Sequence, residues 1–123
     1  MAKVLLVDDD SDFREALEEA LRTQGFDVTV AGDADSAYQV VLGGGIDVVV
    51  SDVRMPGDGS TLPKRLRGID DAPPVILITA FDEPGMRTRV LWEGAVAYLQ
   101  KPIELDWLRR AIESALATVP RRS

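Results

Sequence analysis

Two patterns of apolar residues alternate along the chain. Compact runs rich in Val, Ile and Leu occupy residues 3–7, 28–31, 48–51, 75–79 and 97–100. Between and after them lie longer stretches in which apolar residues recur three or four positions apart, the spacing of one helix face. Phe13, Leu17, Ala20 and Leu21 mark a first helix, with Ser11 placed to cap its N-terminus and Asp10 at its start. Ala34, Ala37, Tyr38, Val41 and Leu42 mark a second, stopped by Gly43-Gly44-Gly45. A short third helix is expected around Leu62, Leu66 and Ile69. A fourth, around Met86, Val90 and Leu91, is expected to open at Pro84 and close at Gly94. Leu105, Leu108, Ile112 and Leu116 outline a fifth.

Strand and helix therefore alternate five times. Runs as continuously apolar as Val48-Val49-Val50 and Val75-Ile76-Leu77-Ile78 suit strands covered on both faces, hence a parallel sheet. Parallel neighbours need crossover connections, which helices supply with one preferred hand. The pattern predicts an α/β fold, a doubly wound (βα)5 open parallel sheet, whose ligands bind beyond the carboxyl ends of the strands. Residues 1–119 are expected to form a single domain, and 120–123 a tail or the stump of a linker.

Composition removes several kinds of chemistry. A chain of 123 residues, 46% hydrophobic and 28% charged, can bury a core of its own. It contains no cysteine, which excludes disulfides, thiolate catalysis and Cys metal sites. It contains no histidine, so a His base, a His ligand and a phosphohistidine carrier are excluded as well. No apolar run is long enough to span a bilayer, and Met1-Ala2-Lys3-Val4 does not begin a secretory signal, so a cytoplasmic place is expected. The net charge of −7 is uneven: residues 1–58 carry −9 and residues 59–123 carry +2. The acidic half disfavours direct nucleic-acid binding. Glu15, Glu18 and Glu19 read as a solvated helix face, but that reading does not cover the acids at the ends of strands.

Those strand ends hold the chemistry. The first run ends Val7-Asp8-Asp9-Asp10, the third Ser51-Asp52-Val53-Arg54-Met55-Pro56, the fourth Ile78-Thr79-Ala80 and the fifth Leu99-Gln100-Lys101-Pro102. In a parallel sheet these ends meet at one edge, bringing together carboxylates, a hydroxyl and an ammonium. Two carboxylates roughly 4 Å apart repel by about 4 kcal/mol at a surface-like dielectric. Either one takes up a proton or a cation joins them. An oxygen-only donor set points to a hard ion, Mg²⁺ first and Mn²⁺ as a substitute. A metal and Lys101 can together offset the charge of a phosphoryl group while Thr79 donates a hydrogen bond. A carboxylate facing that group can attack phosphorus itself and form an aspartyl phosphate.

The set Val-Asp-Asp-Asp at 7–10, Ser-Asp-Val-Arg-Met-Pro-Gly at 51–57, Ile-Thr-Ala at 78–80 and Lys101-Pro102 resembles the receiver (phosphoacceptor) domain of two-component response regulators. The resemblance runs over residues 3–116. It implies a flavodoxin-like strand order, 2-1-3-4-5, and a signalling switch rather than a metabolic enzyme. It implies that Asp52 is the phosphoacceptor. Asp8 and Asp9 form the acidic pair for Mg²⁺, with Asp9, Asp52 and the backbone carbonyl of Arg54 as direct ligands. Lys101 pairs with the phosphoryl oxygens, Thr79 is the switch hydroxyl, and Tyr98 is the aromatic switch residue that rotates inward. The phosphodonor is a phosphohistidine of a sensor histidine kinase or a histidine phosphotransfer protein, in some systems within a phosphorelay. The output is an unidentified domain or target, and a phosphorylation-dependent homodimer through the fourth and fifth helices agrees with the family. A cis bond before Pro102 is also implied.

Arg54 and Phe81, each two residues beyond a site residue, occupy positions that tune phosphoryl hydrolysis in this family. Both are large, so a slow self-dephosphorylation is expected. The chain departs from many relatives in the segment 55–60, one residue shorter between its glycines, and in Phe81-Asp82-Glu83-Pro84-Gly85. Gly near a helix start costs roughly 1 kcal/mol relative to Ala, so the fourth helix is expected to start loosely. Trp92 is expected at the edge of the core. Trp107 lies off its helix stripe and is read either as an exposed partner contact beside Arg109 and Arg110 or as packed along the helix flank. Three other readings are weaker. An aspartyl phosphatase needs an acid two residues after its nucleophile, where Arg54 stands. A flavin module needs a phosphate-cradling loop where Asp8-Asp9-Asp10 stands. A phosphorylation-independent protein-binding scaffold does not require the complete set of Asp8, Asp9, Asp52, Thr79 and Lys101.

Overall fold

In the computed structural model, which describes residues 1–118, the five apolar runs lie side by side in one parallel sheet. The elements in chain order are β1 (Lys3–Val7), α1 (Ser11–Thr23), β2 (Asp27–Ala31), α2 (Ala34–Leu42), β3 (Val48–Asp52), a single 3₁₀ turn (Gly59–Thr61), α3 (Leu62–Leu66), β4 (Val75–Thr79), α4 (Met86–Trp92), β5 (Ala97–Gln100) and α5 (Leu105–Thr118). The strand order is β2-β1-β3-β4-β5. Val7 lies beside Ser51, Asp52 beside Ile78, and Thr79 beside Gln100, so the carboxyl ends of the four central and flanking strands finish nearly level.

The strand period of two divides the core into two layers. Val4, Leu6, Val48, Val50, Ile76 and Ile78 face Leu17 and Leu21 of α1 and Leu108 and Ile112 of α5. Leu5, Val7, Val49 and Leu77 face Ala37 and Val41 of α2, Leu62 and Leu66 of α3, and Val90 of α4. Every residue of β3 and β4 is buried, as their uninterrupted apolar runs require.

Several helix ends differ from expectation. Asp10, not Ser11, caps α1: its backbone is extended, and its carboxylate accepts from the N–H groups of Asp12 (3.1 Å) and Phe13 (3.2 Å). Asp10→Ala is expected to cost about 1 kcal/mol of stability, the usual loss on removing an N-cap, measurable as a lowered midpoint in urea. α3 stops at Leu66 and leaves Ile69 in the following turn. Gly85, in the left-handed region at φ 81°, precedes α4 in place of Pro84, and no side chain caps that end. Trp92 is not at the core edge but 86% exposed. α4 has seven residues and buries only Val90 among them, which leaves the face carrying Trp92 in solvent. Trp107 is 66% exposed, as its position off the α5 stripe allows. The expected tail at 120–123 lies outside the described residues.

Candidate functional site

The level strand ends place three groups in contact. Asp8, the residue after β1, is 2% exposed. Its backbone N–H donates to Ala31 O of β2 (3.1 Å), and its carbonyl accepts from the Arg14 guanidinium (2.7 Å). Asp52, the last residue of β3, is 8% exposed. One carboxylate oxygen accepts from the Arg54 N–H (3.0 Å), and the other accepts from the Lys101 ammonium (2.7 Å). Lys101 also lies 3.5 Å from Asp8 Oδ2. Its backbone N–H donates to Thr79 O at 2.8 Å, which anchors the residue at the end of β5 next to β4. The Lys101–Pro102 bond is cis.

Asp8 and Lys101 are both perturbed by their surroundings. Burial raises Asp8 above the ordinary carboxylate range; the N–H of Asp10 at 2.9 Å works against this, and the charge of Asp52 adds to it. Burial alone would lower Lys101, but Asp52 and Asp8 outweigh it and hold the ammonium above its usual value. The pocket is therefore a buried pair of like charges sharing one cation.

The other expected residues are placed less directly. Thr79 is fully buried at the end of β4, but its hydroxyl donates to Phe81 O (2.8 Å) and accepts from the Phe81 N–H (3.1 Å). To reach a group on Asp52 it must release that turn. Asp9 is exposed, and among the described residues no three His, Cys, Asp or Glu side chains are grouped to hold a metal ion. Tyr98 is already turned inward, 2% exposed. Among the described residues its hydroxyl makes no well-formed hydrogen bond, with Asp82 the acceptor near it, and the Arg87 guanidinium lies 5.2 Å from the ring centre. Burial, with the nearby charge of Asp82, pushes its phenol up. Arg54 pairs with Glu83 and lies over the Phe81 ring at 5.2 Å, so these side chains join the segment after β3 to the segment after β4.

The family model for the response regulator receiver domain matches residues 4–113. The chain belongs to this family. As a receiver domain of two-component signalling it is a phosphoacceptor switch. It is 37% identical over 114 residues to the transcriptional regulatory protein FixJ of Bradyrhizobium diazoefficiens, covering 92% of this chain and 56% of that protein. It is 36% identical over 115 residues to the response regulator MprA of Mycobacterium tuberculosis, covering 93% of this chain and 50% of that one. It is similar in structure to the receiver domain of Francisella response regulator 1452, with a TM-score of 0.89 at 31% identity, over 98% of this chain and 100% of that one. The receiver domain thus spans about half the length of these two curated relatives. Among its described residues no helix is long and apolar enough to cross a membrane.

Some residues that shape the site carried no signal in the sequence. Gly59, in the short segment after β3, packs so closely on β3 that an added Cβ would lie 1.8 Å from Asp52 O. Ser60, buried beside it, accepts a hydrogen bond from Arg89 of α4 (2.9 Å). Phe13 on the first turn of α1 has its ring centre 4.0 Å from the Lys101 ammonium. Gly and Ser in a turn and Phe on an apolar helix stripe have ordinary structural readings, and only the packing gives them another.

Proposed function

We propose that Asp52 is the phosphoacceptor of this receiver domain and that the phosphodonor is a phosphohistidine on a sensor histidine kinase or a histidine phosphotransfer protein. The observation that supports this most is the Lys101 ammonium shared between Asp52 (2.7 Å) and Asp8 (3.5 Å) in a buried pocket at the strand ends. Such a pairing sets the Asp52 carboxylate beside a positive charge where phosphoryl oxygens arrive.

In the proposed transfer, a carboxylate oxygen of Asp52 forms the new O–P bond as the P–N bond to the donor imidazole breaks, and the imidazole leaves with the electron pair. The donor set fits a hard divalent cation: oxygen ligands only, and paired carboxylates that one ammonium compensates incompletely. Asp8, Asp9, Asp52 and the backbone carbonyl of Arg54 would hold Mg²⁺, or Mn²⁺ in its place. When bound, the ion offsets charge on the transferring phosphoryl oxygens. The chain's own groups then respond to the product, which brings about −1.5 to −2 charge units at neutral pH. Lys101 shifts from the free carboxylates to the phosphoryl oxygens. Thr79 exchanges its bond to Phe81 O for one to the phosphoryl group, which loosens the segment before α4. The buried Tyr98, with Arg87 of α4 over its ring, carries the change to the α4–β5–α5 surface. That surface is the proposed contact with an output domain, a target or a second copy in the cytoplasm.

Acetyl phosphate tests the acceptor chemistry without a kinase. With Mg²⁺ the intact mass is expected to rise by one phosphoryl group, mapped to Asp52 and removed by hydroxylamine as an acyl phosphate requires; with EDTA no gain is expected. A gain mapped elsewhere, or one indifferent to EDTA, contradicts the proposal.

The cover formed by Arg54, Glu83 and Phe81 shields the acceptor from water in this reading. An exposed ion pair and a cation–π contact are together worth about 1 kcal/mol, so the Arg54→Ala, Phe81→Ala double variant is expected to lose its phosphoryl group about fivefold faster. The decay of phosphorylated protein after donor removal measures this, and an unchanged lifetime contradicts the shielding.

A further inference from the structure

We infer that Phe13 is a positioning residue for the phosphoryl-transfer site: the face of its ring holds the Lys101 ammonium between Asp8 and Asp52. This rests on the proposed roles of Asp52 and Lys101 and goes beyond them, because nothing else in the site assigns Phe13 a part in the chemistry.

The ammonium of a lysine is a point charge at the end of a flexible four-carbon chain. In the resting site it must stay near both carboxylates, and after transfer it must meet phosphoryl oxygens instead. Its neighbours are Asp52 at 2.7 Å, Asp8 at 3.5 Å and the centre of the Phe13 ring at 4.0 Å. A cation this close to an aromatic ring centre is attracted by the negative face of the ring. The attraction is stronger away from water, and the Lys101 side chain is only 19% exposed. The ring thus tethers the ammonium without carrying a charge or accepting a proton. A third carboxylate would also tether it but would repel the phosphoryl group that must enter. A polar hydrogen-bond acceptor would occupy an N–H that the phosphoryl oxygens need. An aromatic face avoids both difficulties.

Phe13 is itself well held. It sits in the first turn of α1, where its N–H donates to the capping carboxylate of Asp10 (3.2 Å). Its half-buried ring packs against the core layer shared by α1 and α5, the layer that also receives Ile103 and Leu105 just beyond Lys101. A fixed first turn thus sets a fixed ring beside the mobile end of a lysine from another part of the chain. The residue's ordinary role, filling the helix stripe, does not explain why its face meets the Lys101 ammonium.

Graded fluorination separates these roles. Replacing Phe13 with 4-fluoro-, 3,5-difluoro- and 3,4,5-trifluorophenylalanine leaves the ring's shape nearly unchanged and weakens its negative face stepwise. With acetyl phosphate and saturating Mg²⁺, the rate of phosphorylation is expected to fall stepwise, by about three- to tenfold at the trifluoro ring. Phe13→Leu is expected to match the trifluoro variant, and Phe13→Trp to retain the parent rate. In a Lys101→Met background the residual rate is expected not to vary along the series. A flat series in a parent chain that accepts phosphate on Asp52 overturns the inference and leaves the acceptor reading standing. A stepwise fall that persists without Lys101 also overturns it, since the ring would then act by another route. A parent chain that takes no phosphoryl group removes both. Should Phe13→Leu not fold, the fluorinated proteins, checked for unchanged melting temperature, still decide the question.

Discussion

Asp52→Asn is expected to take up no phosphoryl group from acetyl phosphate under conditions that label the parent chain, and to lose no more than about 1 kcal/mol of stability. The first result follows from chemistry. A carboxamide keeps the shape of the side chain but lacks the charge that makes its oxygen a nucleophile. The second follows from the balance of charge in the pocket. The substitution gives up a charge-assisted bond to Lys101, but the amide oxygen can still accept from the ammonium, and Lys101 keeps Asp8 as a partner at 3.5 Å. It also removes a negative charge that raises Asp8, although burial is the larger cause of that shift. A carboxyl group whose folded-state pKa is raised contributes stability while protonated, at pH below its unfolded value, and loses it as pH rises through the folded value. At neutral pH Asp8 is therefore a cost to the fold, and removing the neighbouring charge reduces that cost. The lost charge-assisted bond to Lys101 acts in the opposite direction, so the net change in melting temperature at neutral pH is expected to stay small. Labelling of the variant, or a loss of stability at neutral pH well above about 1 kcal/mol, would contradict this account of the site.

Gly59→Ala is expected to destabilise the domain by about 3 kcal/mol and to reduce acceptance of the phosphoryl group sharply. The new methyl would stand 1.8 Å from Asp52 O and 3.0 Å from Asp52 C and Met55 Cε. Met55 is flexible and can give way. The carbonyl of Asp52 cannot, because it belongs to the end of a central strand: the neighbouring Val53 N–H donates to Ile78 O at 2.9 Å, and Gly59 N–H donates to Val53 O at 3.0 Å. Relief requires the segment after β3 to lift away or the end of β3 to shift, and either moves Asp52 relative to Lys101. By contrast Gly68, with nothing within 4 Å of an added Cβ, should accept Ala with little change and serves as the control. Urea unfolding and the labelling rate, read on both variants, separate loss of the fold from misplacement of Asp52. Equal behaviour of the two would show that the close approach of Gly59 has no bearing on the site.

The alternation of apolar runs and helical stripes was enough to anticipate a doubly wound sheet, because strands buried on both faces and amphipathic helices leave distinct periods in a sequence. The acids, hydroxyl and lysine of the site were legible for a related reason. In a parallel sheet every strand's carboxyl end falls on the same edge, so residues distant in the chain, such as Asp8, Asp52 and Lys101, are neighbours once the topology is known. The strand order came instead from the likeness of the motifs to a known family. Short elements were harder. Asp10 and Ser11 are both good caps, and the choice between them depends on where the chain leaves β1. Trp92 has the composition of a core residue, but α4 is too short to bury more than one row. Periodicity therefore settles the layers and the edge where Asp8, Asp52 and Lys101 meet. Contacts made across the chain settle the remainder: the glycine pressed on the Asp52 carbonyl, the hydroxyl of Thr79 held by its own turn, and the ring of Phe13 beside the ammonium. These depend on distances of a few ångströms between segments whose local sequences carry no trace of one another.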